Sequence, residues 1–456
     1  MKILPLLFMF LIPSGLCSQN IEGDWYGTLT VGYQSLRLRF TINSGFDGKL
    51  SGTMDSFDQS AMGIPLDTVT FGNNLLRFVL NSISFEFKGI PVSDSIKGVI
   101  RQFNQTFPLD LTRKRADWLS RPQEPVKPYG YKSEDIKFTN VKENFILSGT
   151  LTMPQGEGPF PAIVLVSGSG PQNRDEEIMG HKPFLVLSDF LTKMGFAVLR
   201  YDDRGTGESE GNFDKSTTYD LLSDAEAAFD YLKGREDING DKIGIAGHSE
   251  GGIIATLMAD SRKETAFVVL LAAPMIKGSD LIILQQEMIA RGSGVPEEDI
   301  SDYRSLNQSI MELIDQEKEA ADTIKLREMI SAMIISATSG TANESISMAH
   351  AKQYTTPWML FFLRFNPATA LREVKVPILA IYGSKDLQVP SRVNKEAFNK
   401  NVIPSNKNVS VFEIEGLNHL LQEAETGLPK EYFSISHTIS HKALNVIGEW
   451  LKDKIM

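Results

Sequence analysis

The stretch GHSEG at 247–251 places a serine between two glycines. An apolar run precedes it and a helical pattern follows, so the motif predicts a sharp strand-to-helix turn with Ser249 at its tip. Glycines two residues to either side of the serine let the neighbouring backbone approach without a Cβ clash. A serine on such a turn is typical of a nucleophile, so the stretch predicts covalent catalysis by Ser249.

A serine hydroxyl needs a base to take its proton, and only a few residues can serve. His419 lies between a late predicted strand and the last predicted helix, at the sheet edge where open α/β sheets bind ligands. His248 is expected to point away from Ser249. His437 and His441 are four residues apart, but without a nearby third ligand or an H-E-x-x-H pattern we predict no metal site. The other histidines weighed as the base were His181 and His350.

The base in turn needs a carboxylate that fixes its tautomer. Asp386 comes directly after the predicted strand 377–382 and should leave the sheet at the same edge. Glu413 and Glu415 are the rivals, but they lie within or at the end of the strand that leads to His419. We predict Asp386, with a role as a turn or N-cap residue as its alternative.

The oxyanion of a tetrahedral intermediate needs two backbone N–H donors. Glu250, the residue after the nucleophile, is predicted to supply one of them. The other is expected from the loop SGSGP at 167–171, which follows an apolar strand. Ser169 is our choice and Gly170 the alternative.

Composition limits the classes of protein to which the chain could belong. Its 456 residues allow two or three domains, at roughly 150 residues per domain. Hydrophobic residues make up 42 % and charged residues 23 %, as in ordinary globular proteins. The net charge of −11 lacks the basic footprint of a nucleic-acid binder, so we predict no nucleic-acid partner.

The first residues predict a cleaved signal peptide over 1–18. Lys2 begins it, the apolar run 3–12 is too short to span a bilayer, and small residues follow. The protein is therefore expected to be exported to a bacterial periplasm or the extracellular space. A lipid anchor at Cys17 is the less favoured alternative, because Leu16 stands where a small residue normally precedes a lipidated cysteine. Cys17 is the chain's single cysteine, so no disulfide is expected.

The hydrophobic period changes along the chain and predicts two domains. Residues 19–115 contain short alternating runs separated by turn residues, which predicts a small all-β, barrel-like domain. The proline-containing segment 116–134 is predicted as a linker. From 135 to 456, apolar strands alternate with amphipathic helices, which predicts a mostly parallel sheet covered on both faces.

A long helical insertion interrupts this alternation at about 277–370. Its place above the sheet edge where Ser249 emerges, and the run WMLFFL at 358–363, favour a lid over a plain packing unit. Trp358, Phe361 and Phe362 are the predicted residues of the substrate pocket. We expect this pocket to favour short acyl chains.

From about residue 135 onward, the chain resembles the α/β-hydrolase superfamily, in particular bacterial serine esterases near the serine-aminopeptidase and dienelactone-hydrolase branches. The matching stretches are SGSGPQNRDE (167–176), YDDRGTGES (201–209), GHSEGG (247–252), VPILAIYGSKDLQVP (376–390) and GLNHLLQ (416–422). The N-terminal β region also looks like the small β domain of some exported bacterial esterases. The resemblance implies an α/β-hydrolase sheet with the chain order Ser249, Asp386, His419 for the triad.

The resemblance also implies hydrolysis of short-chain carboxylic esters of small molecules, without a cofactor. A peptidase or acyl-peptide hydrolase, a thioesterase or a lactonase on the same triad are the alternatives, and a non-catalytic binding protein is the least favoured. Apart from the short run 3–12, no other stretch is long and apolar enough to cross a membrane either. The sequence leaves the oligomeric state open, a homodimer included.

Overall fold

The computed structural model describes residues 21–31, 34–45, 48–57, 61–102, 105–114, 121–317, 323–338 and 343–456. The predicted signal peptide at 1–18, with Cys17, lies outside the described residues. The chain forms two compact units, residues 1–117 and 118–456.

The first unit is all-β, as predicted. Its strands are β1 (Gly23–Val31), β2 (Gln34–Ser44), β3 (Leu50–Ser56), β4 (Ala61–Pro65), β5 (Thr68–Gly72), β6 (Leu75–Leu80), β7 (Phe85–Val92), β8 (Ser95–Gln102), β9 (Gln105–Pro108) and β10 (Leu111–Thr112). They form one antiparallel sheet in the order β4-β3-β2-β1-β10-β8-β7-β6-β5, and β9 pairs with β8.

Alternation along the strands builds the core of this unit. Leu38, Phe40 and Ile42 on β2 are buried, because every second side chain of a strand faces the same way. The Phe40 and Phe78 rings stack at 5.0 Å, and Phe78 stacks on Phe87 at the same distance. An aromatic cluster therefore fills the interior of the first unit.

The second unit contains an eight-stranded sheet. Its strands are β11 (Lys132–Asn140), β12 (Phe145–Met153), β13 (Phe160–Val166), β14 (Ala197–Tyr201), β15 (Ile238–His248), β16 (Val268–Leu271), β17 (Ile378–Gly383) and β18 (Val409–Ile414). Their order in the sheet is β11-β12-β14-β13-β15-β16-β17-β18. The first pairings, β11 with β12 and β12 with β14, are antiparallel, and all the others are parallel.

Helices cover both faces of this sheet. The helices are α1 (Pro183–Lys193), α2 (Thr218–Lys233), α3 (Glu250–Ser261), α4 (Gly278–Gly292), α5 (Glu297–Gln316), α6 (Thr323–Ala337), α7 (Glu344–Tyr354), α8 (Pro357–Arg364), α9 (Pro367–Ala370), α10 (Ser391–Asn401), α11 (Pro429–Tyr432) and α12 (His441–Lys454). Side chains of α2 and α3 pack on one face of the sheet and those of α1 and α12 on the other. This arrangement confirms the predicted fold class, an α/β-hydrolase sheet after a small all-β unit. The insertion at about 277–370 is helical as predicted, with α4–α9 between β16 and β17.

The predicted linker at 116–134 is corrected by the structure. Strand β11 already begins at Lys132, and Arg121 is buried within the second unit, where its guanidinium donates to the carbonyl oxygen of Phe433 at 2.9 Å. Gln123 likewise donates to the carbonyl of Ile439 at 2.7 Å. Hydrogen bonds hold the described part of this segment, residues 121–134, in place, and such contacts leave no hydrophobic period in the sequence.

Candidate active site

Ser249 occupies the tight turn between β15 and α3, as the sequence predicts. Its φ of 51° lies in the left-handed region, which a residue other than glycine adopts only where the surroundings force it. A Cβ on Gly247 would lie 2.0 Å from the carbonyl oxygen of Gly251, and a Cβ on Gly251 would lie 2.1 Å from that of Val166. Both glycines are therefore needed for the turn that exposes Ser249.

Asp386 and His419 meet beside this turn. The Asp386 carboxylate oxygen Oδ2 lies 2.8 Å from His419 Nδ1, and both residues are buried. The other oxygen, Oδ1, accepts the backbone N–H groups of Gln388 and Val389, each at 2.8 Å. With Nδ1 directed at the carboxylate, Nε2 is the ring nitrogen available to act as a base.

One cavity of about 230 Å³ is lined by three of the predicted residues, Ser249, His419 and Ser169. Parallel strands bring them to the same edge: β13 pairs with β15, and β17 pairs with β18. The structure thus brings the predicted triad to one site in the chain order Ser249, Asp386, His419. The catalytic roles of these three residues stay a prediction, which mutation can test.

Of the two predicted oxyanion donors, Ser169 lines this cavity, and Glu250 directly follows Ser249, which also lines it. Glu250 is the first residue of α3, whose unpaired N–H groups and dipole favour negative charge. Ser169 lines the cavity beside Ser249, whereas Gly170 is outside its lining. Gly168 already donates its N–H to Glu176 Oε1 at 2.7 Å. Ser169 and Glu250 stay our predicted donors.

Two helices of the insertion line the cavity, α4 with Leu281 and Ile282 and α8 with Trp358 and Phe362. Phe361, predicted as a pocket residue, is outside the lining, and this prediction is corrected. Successive residues of a helix are about 100° apart around its axis, so Phe361 lies on a different face of α8 from Phe362. Its ring contacts Tyr219 and Phe365, with ring centroids 5.0 and 5.2 Å away.

The sequence reasoning missed an anchor between the turn and the lid helix α8. The Glu250 carboxylate oxygen Oε1 accepts the indole N–H of Trp358 at 2.7 Å and the hydroxyl of Thr218 at 2.8 Å. Burial raises the pKa of Glu250, although these hydrogen bonds act against the shift. A glutamate directly after the nucleophile was the available signal, since an acid buried there needs partners.

His248 was expected to point away from Ser249, yet it lines the same cavity. Its Nδ1 lies 2.8 Å from Glu176 Oε1 and its Nε2 lies 3.0 Å from the carbonyl oxygen of His419. Both ring nitrogens are therefore occupied, and His248 is unsuited to be the base. Glu176, which the sequence reasoning also missed, lies 72 residues away in the chain.

The remaining histidines lie elsewhere. His181 is buried between Thr438 and the carbonyl of Tyr432, and the rings of His437 and His441 lie 6.1 Å apart. Among the described residues, no group of three or more His, Cys, Asp or Glu side chains could hold a metal ion. Within that same part of the chain, no helix is both long and apolar enough to cross a membrane.

Residues 145–402 match the family described as X-Pro dipeptidyl-peptidase (S15 family), which is more than half of the chain. The chain belongs to the S15 family. The S15 match contains Ser249 and Asp386 and ends before His419.

Individual proteins are also similar to this chain. Esterase EstD of Thermotoga maritima is 27 % identical over 328 residues, which cover 72 % of this chain and 69 % of that protein. Acyl-coenzyme A thioesterase 1 of Rattus norvegicus is 26 % identical over 35 % of this chain and 34 % of its own length. The solved structure of the Pyrococcus furiosus esterase Pf2001 is 18 % identical with a TM-score of 0.43, covering 72 % of this chain and 94 % of that one.

Proposed function

We propose that the protein is a serine esterase that hydrolyses short-chain carboxylic esters of small molecules. The observation that carries the proposal is one small cavity lined by both Ser249 and His419. Behind this cavity wall, Asp386 Oδ2 lies 2.8 Å from His419 Nδ1. A serine, a base and a carboxylate in this relation are the parts needed for acyl transfer. The similarity to a protein named esterase supports the same chemistry.

Acylation follows from the geometry. Ser249 Oγ attacks the ester carbonyl carbon, and its proton passes to His419 Nε2, while Asp386 stabilises the imidazolium that forms. The N–H groups of Ser169 and Glu250 donate to the oxyanion of the tetrahedral intermediate. When the intermediate collapses, its bond to the alcohol oxygen breaks, and His419 returns the proton to the departing alcohol.

Deacylation repeats these steps with water. His419 removes a proton from a water molecule, which attacks the acyl carbon and forms a second tetrahedral intermediate. Its collapse releases the carboxylic acid and returns the proton to Ser249 Oγ. This chemistry needs no resident cofactor.

The walls of the cavity favour a short acyl group. Apolar side chains of α4, α8 and nearby loops contribute most of its surface, including Leu281, Ile282, Trp358, Phe362 and Val389. Burying a methylene there contributes about 0.8 kcal/mol, so each added carbon should raise kcat/KM about fourfold until the cavity is full. In about 230 Å³ we expect that limit at short chains, around C2 to C6.

A peptidase is the second candidate, because the S15 family is described as X-Pro dipeptidyl-peptidase. Recognition of a dipeptide's ammonium group needs an acidic side chain that is free to pair with it. Among the described residues lining the cavity, Glu176 is the only one with a carboxylate; its Oε1 already binds His248 and the N–H of Gly168, and its Oε2 is buried. The ester is therefore the favoured substrate.

A substrate panel tests the proposal. We would compare kcat/KM for 4-nitrophenyl acetate, butyrate and octanoate, the 4-nitroanilide of glycyl-proline, and butyryl-coenzyme A, with wild type and Ser249→Ala. We expect the butyrate ester to be the best substrate and Ser249→Ala to lose turnover of every compound. A higher kcat/KM on the anilide would establish the peptidase instead, and a higher value on the coenzyme A ester a thioesterase.

We also propose that the chain is exported to a periplasm or the extracellular space, with a signal peptide over residues 1–18. Lys2, the apolar run 3–12 and the small residues after it support this. Mass spectrometry of the protein from cell fractions of a bacterial host should find a mature N-terminus near Ser18 or Gln19. A diacylated Cys17, or an uncleaved protein confined to the cytoplasm, would contradict the proposal.

A further inference from the structure

The active-site cavity holds a second pair of histidine and carboxylate behind the triad. Glu176 and His248 are both buried and both line the cavity. Glu176 Oε1 lies 2.8 Å from His248 Nδ1 and accepts the N–H of Gly168 at 2.7 Å. On its other side, His248 Nε2 lies 3.0 Å from the carbonyl oxygen of His419.

These contacts join two loops that catalysis must hold in place. Gly168 belongs to the loop at 167–171, which carries the predicted donor Ser169 and is called the oxyanion loop below. His419 belongs to the loop at 415–422 after β18, called the base loop below. The Glu176–His248 pair is hydrogen-bonded to both, so it fixes their separation around Ser249.

The hydrogen-bond partners of His248 determine how many protons its ring carries. An ionised carboxylate and a peptide carbonyl oxygen only accept hydrogen bonds. An imidazole ring whose two nitrogens both face such acceptors must carry a proton on each of them. With Glu176 ionised, His248 therefore satisfies Glu176 and His419 together only as an imidazolium.

His181 provides an internal comparison. It too is buried with Nε2 2.9 Å from a carbonyl oxygen, that of Tyr432, but its Nδ1 lies 3.0 Å from the hydroxyl of Thr438. A hydroxyl can donate as well as accept, so a neutral ring satisfies both of its partners. The carboxylate of Glu176 is what distinguishes His248 from His181.

The electrostatics agree with this count. Burial disfavours the charged ring of His248, but the charge and hydrogen bond of Glu176, the carbonyl of His419 and the charge of Asp386 together outweigh burial and raise the pKa of His248. The groups facing His248 are Glu176 from the segment before α1, Asp386 after β17 and the ring of His419, whose centroid is 4.9 Å away. For His181, burial and the nearby Arg121 lower the pKa to about 3.

We propose that Glu176 and His248 form a positioning pair that holds the oxyanion loop and the base loop around Ser249, and that it acts only while His248 is an imidazolium. The inference rests on the proposed serine-hydrolase function. When His248 loses a proton, one of its two hydrogen bonds is lost, and the base loop or the oxyanion loop loses its anchor. The enzyme should therefore lose kcat as the pH rises through the raised pKa of His248.

The pH profile of ester hydrolysis tests this role. We expect wild-type kcat to fall on the alkaline side, and Glu176→Gln to move that fall to lower pH by at least about one unit with KM changed less than about twofold. His248→Gln, which has no proton to lose, should show a lowered kcat without this alkaline fall. His181→Gln is the matched control and should leave the alkaline fall in place.

The protonation of His248 can also be measured directly in the resting enzyme, and this measurement does not depend on the activity of any variant. In wild type carrying ¹⁵N-labelled histidine, with the His248 signals assigned by their loss in His248→Gln, NMR should find both ring nitrogens protonated at neutral pH. A neutral His248 ring, which a protonated Glu176 would produce, would overturn the inference, as would an unmoved alkaline fall in Glu176→Gln. Turnover of esters by wild type tests the proposed function separately, so the two failures are distinguishable.

Discussion

Asp386 uses both of its carboxylate oxygens, and this fixes the geometry of the base. Oδ1 is held by two backbone N–H groups, so Oδ2 stays directed at His419 Nδ1. The carboxylate cannot rotate away without leaving these buried donors unpaired, which costs about 1–3 kcal/mol for each. The His419 ring is therefore kept in the tautomer whose Nε2 can accept the serine proton.

Replacing the members of the triad should abolish most turnover. We expect Ser249→Ala and His419→Ala to lower kcat on a short acyl ester by about 10³-fold or more. Asp386→Asn should have a somewhat smaller effect, because Asn Oδ1 can still accept the backbone N–H groups while the amide favours the wrong tautomer of His419.

Steady-state kinetics with 4-nitrophenyl butyrate measure these effects. Asp241→Asn, at an exposed position of β15, is the matched control for Asp386→Asn and should behave as wild type. Near wild-type kcat in a folded His419→Ala variant would show that another residue acts as the base.

Among the elements, the lid helix α8 connects substrate selection to the turn that carries Ser249. Its residues Trp358 and Phe362 are four apart, lie on one face and stack with their ring centroids at 5.6 Å. Trp358 is also hydrogen-bonded to Glu250, the residue after the nucleophile. The acyl pocket and the nucleophile are thus parts of one packed assembly.

Shortening Phe362 should change which acyl chain is preferred. Phe362→Ala removes a ring from the cavity wall, so we expect the optimum of kcat/KM to move to a longer acyl chain. Phe361→Ala is the matched control on the same helix: it loses the ring contact with Tyr219 and should lower stability, by about 3 kcal/mol or less, without moving the optimum.

Acetate, butyrate, hexanoate and octanoate esters measure the profile, and thermal unfolding measures the stability. If Phe361→Ala moved the optimum and Phe362→Ala did not, the assigned face of α8 would be wrong. An optimum near C12 in wild type would contradict a small acyl pocket.

The sequence predicted those elements whose signals are local. GHSEG at 247–251 contains its own turn chemistry, and Asp386 and His419 each follow an apolar strand, so their shared edge followed from parallel pairing. Phe361 was misassigned because a run of aromatic residues does not show which face of its helix lines the cavity. The sequence did not predict the Glu176–His248 contact, because this contact depends on the pairing of β13 with β15, which no local sequence pattern indicates.

For the whole molecule, His181 predicts sensitivity to acid. The pKa of His181 is lowered from 6.5 to about 3, so below its ordinary pKa the unfolded chain binds a proton that the folded chain does not. Stability is therefore lost as the pH falls from 6.5 towards 3, by a few kcal/mol in total. Above pH 6.5 the ring is neutral in both the folded and the unfolded chain, so its titration no longer changes stability.

Urea unfolding at neutral pH and near pH 4 measures this loss. His181→Gln should be less stable than wild type at neutral pH, because it loses buried hydrogen bonds, yet it should lose less stability on acidification. His350→Gln, at an exposed position of α7, is the control and should lose as much as wild type. Equal losses in His181→Gln and wild type would contradict a neutral buried His181.

The most direct test of the account is to trap the acyl-enzyme. Wild type would be quenched in acid during turnover of 4-nitrophenyl butyrate, and its intact mass and peptide masses measured beside those of Ser249→Ala. We predict one butyryl group on wild type, located on the peptide that contains Ser249, and none on the variant. A butyryl group on another residue, or an unmodified wild type that still releases butyrate, would contradict a covalent mechanism at Ser249.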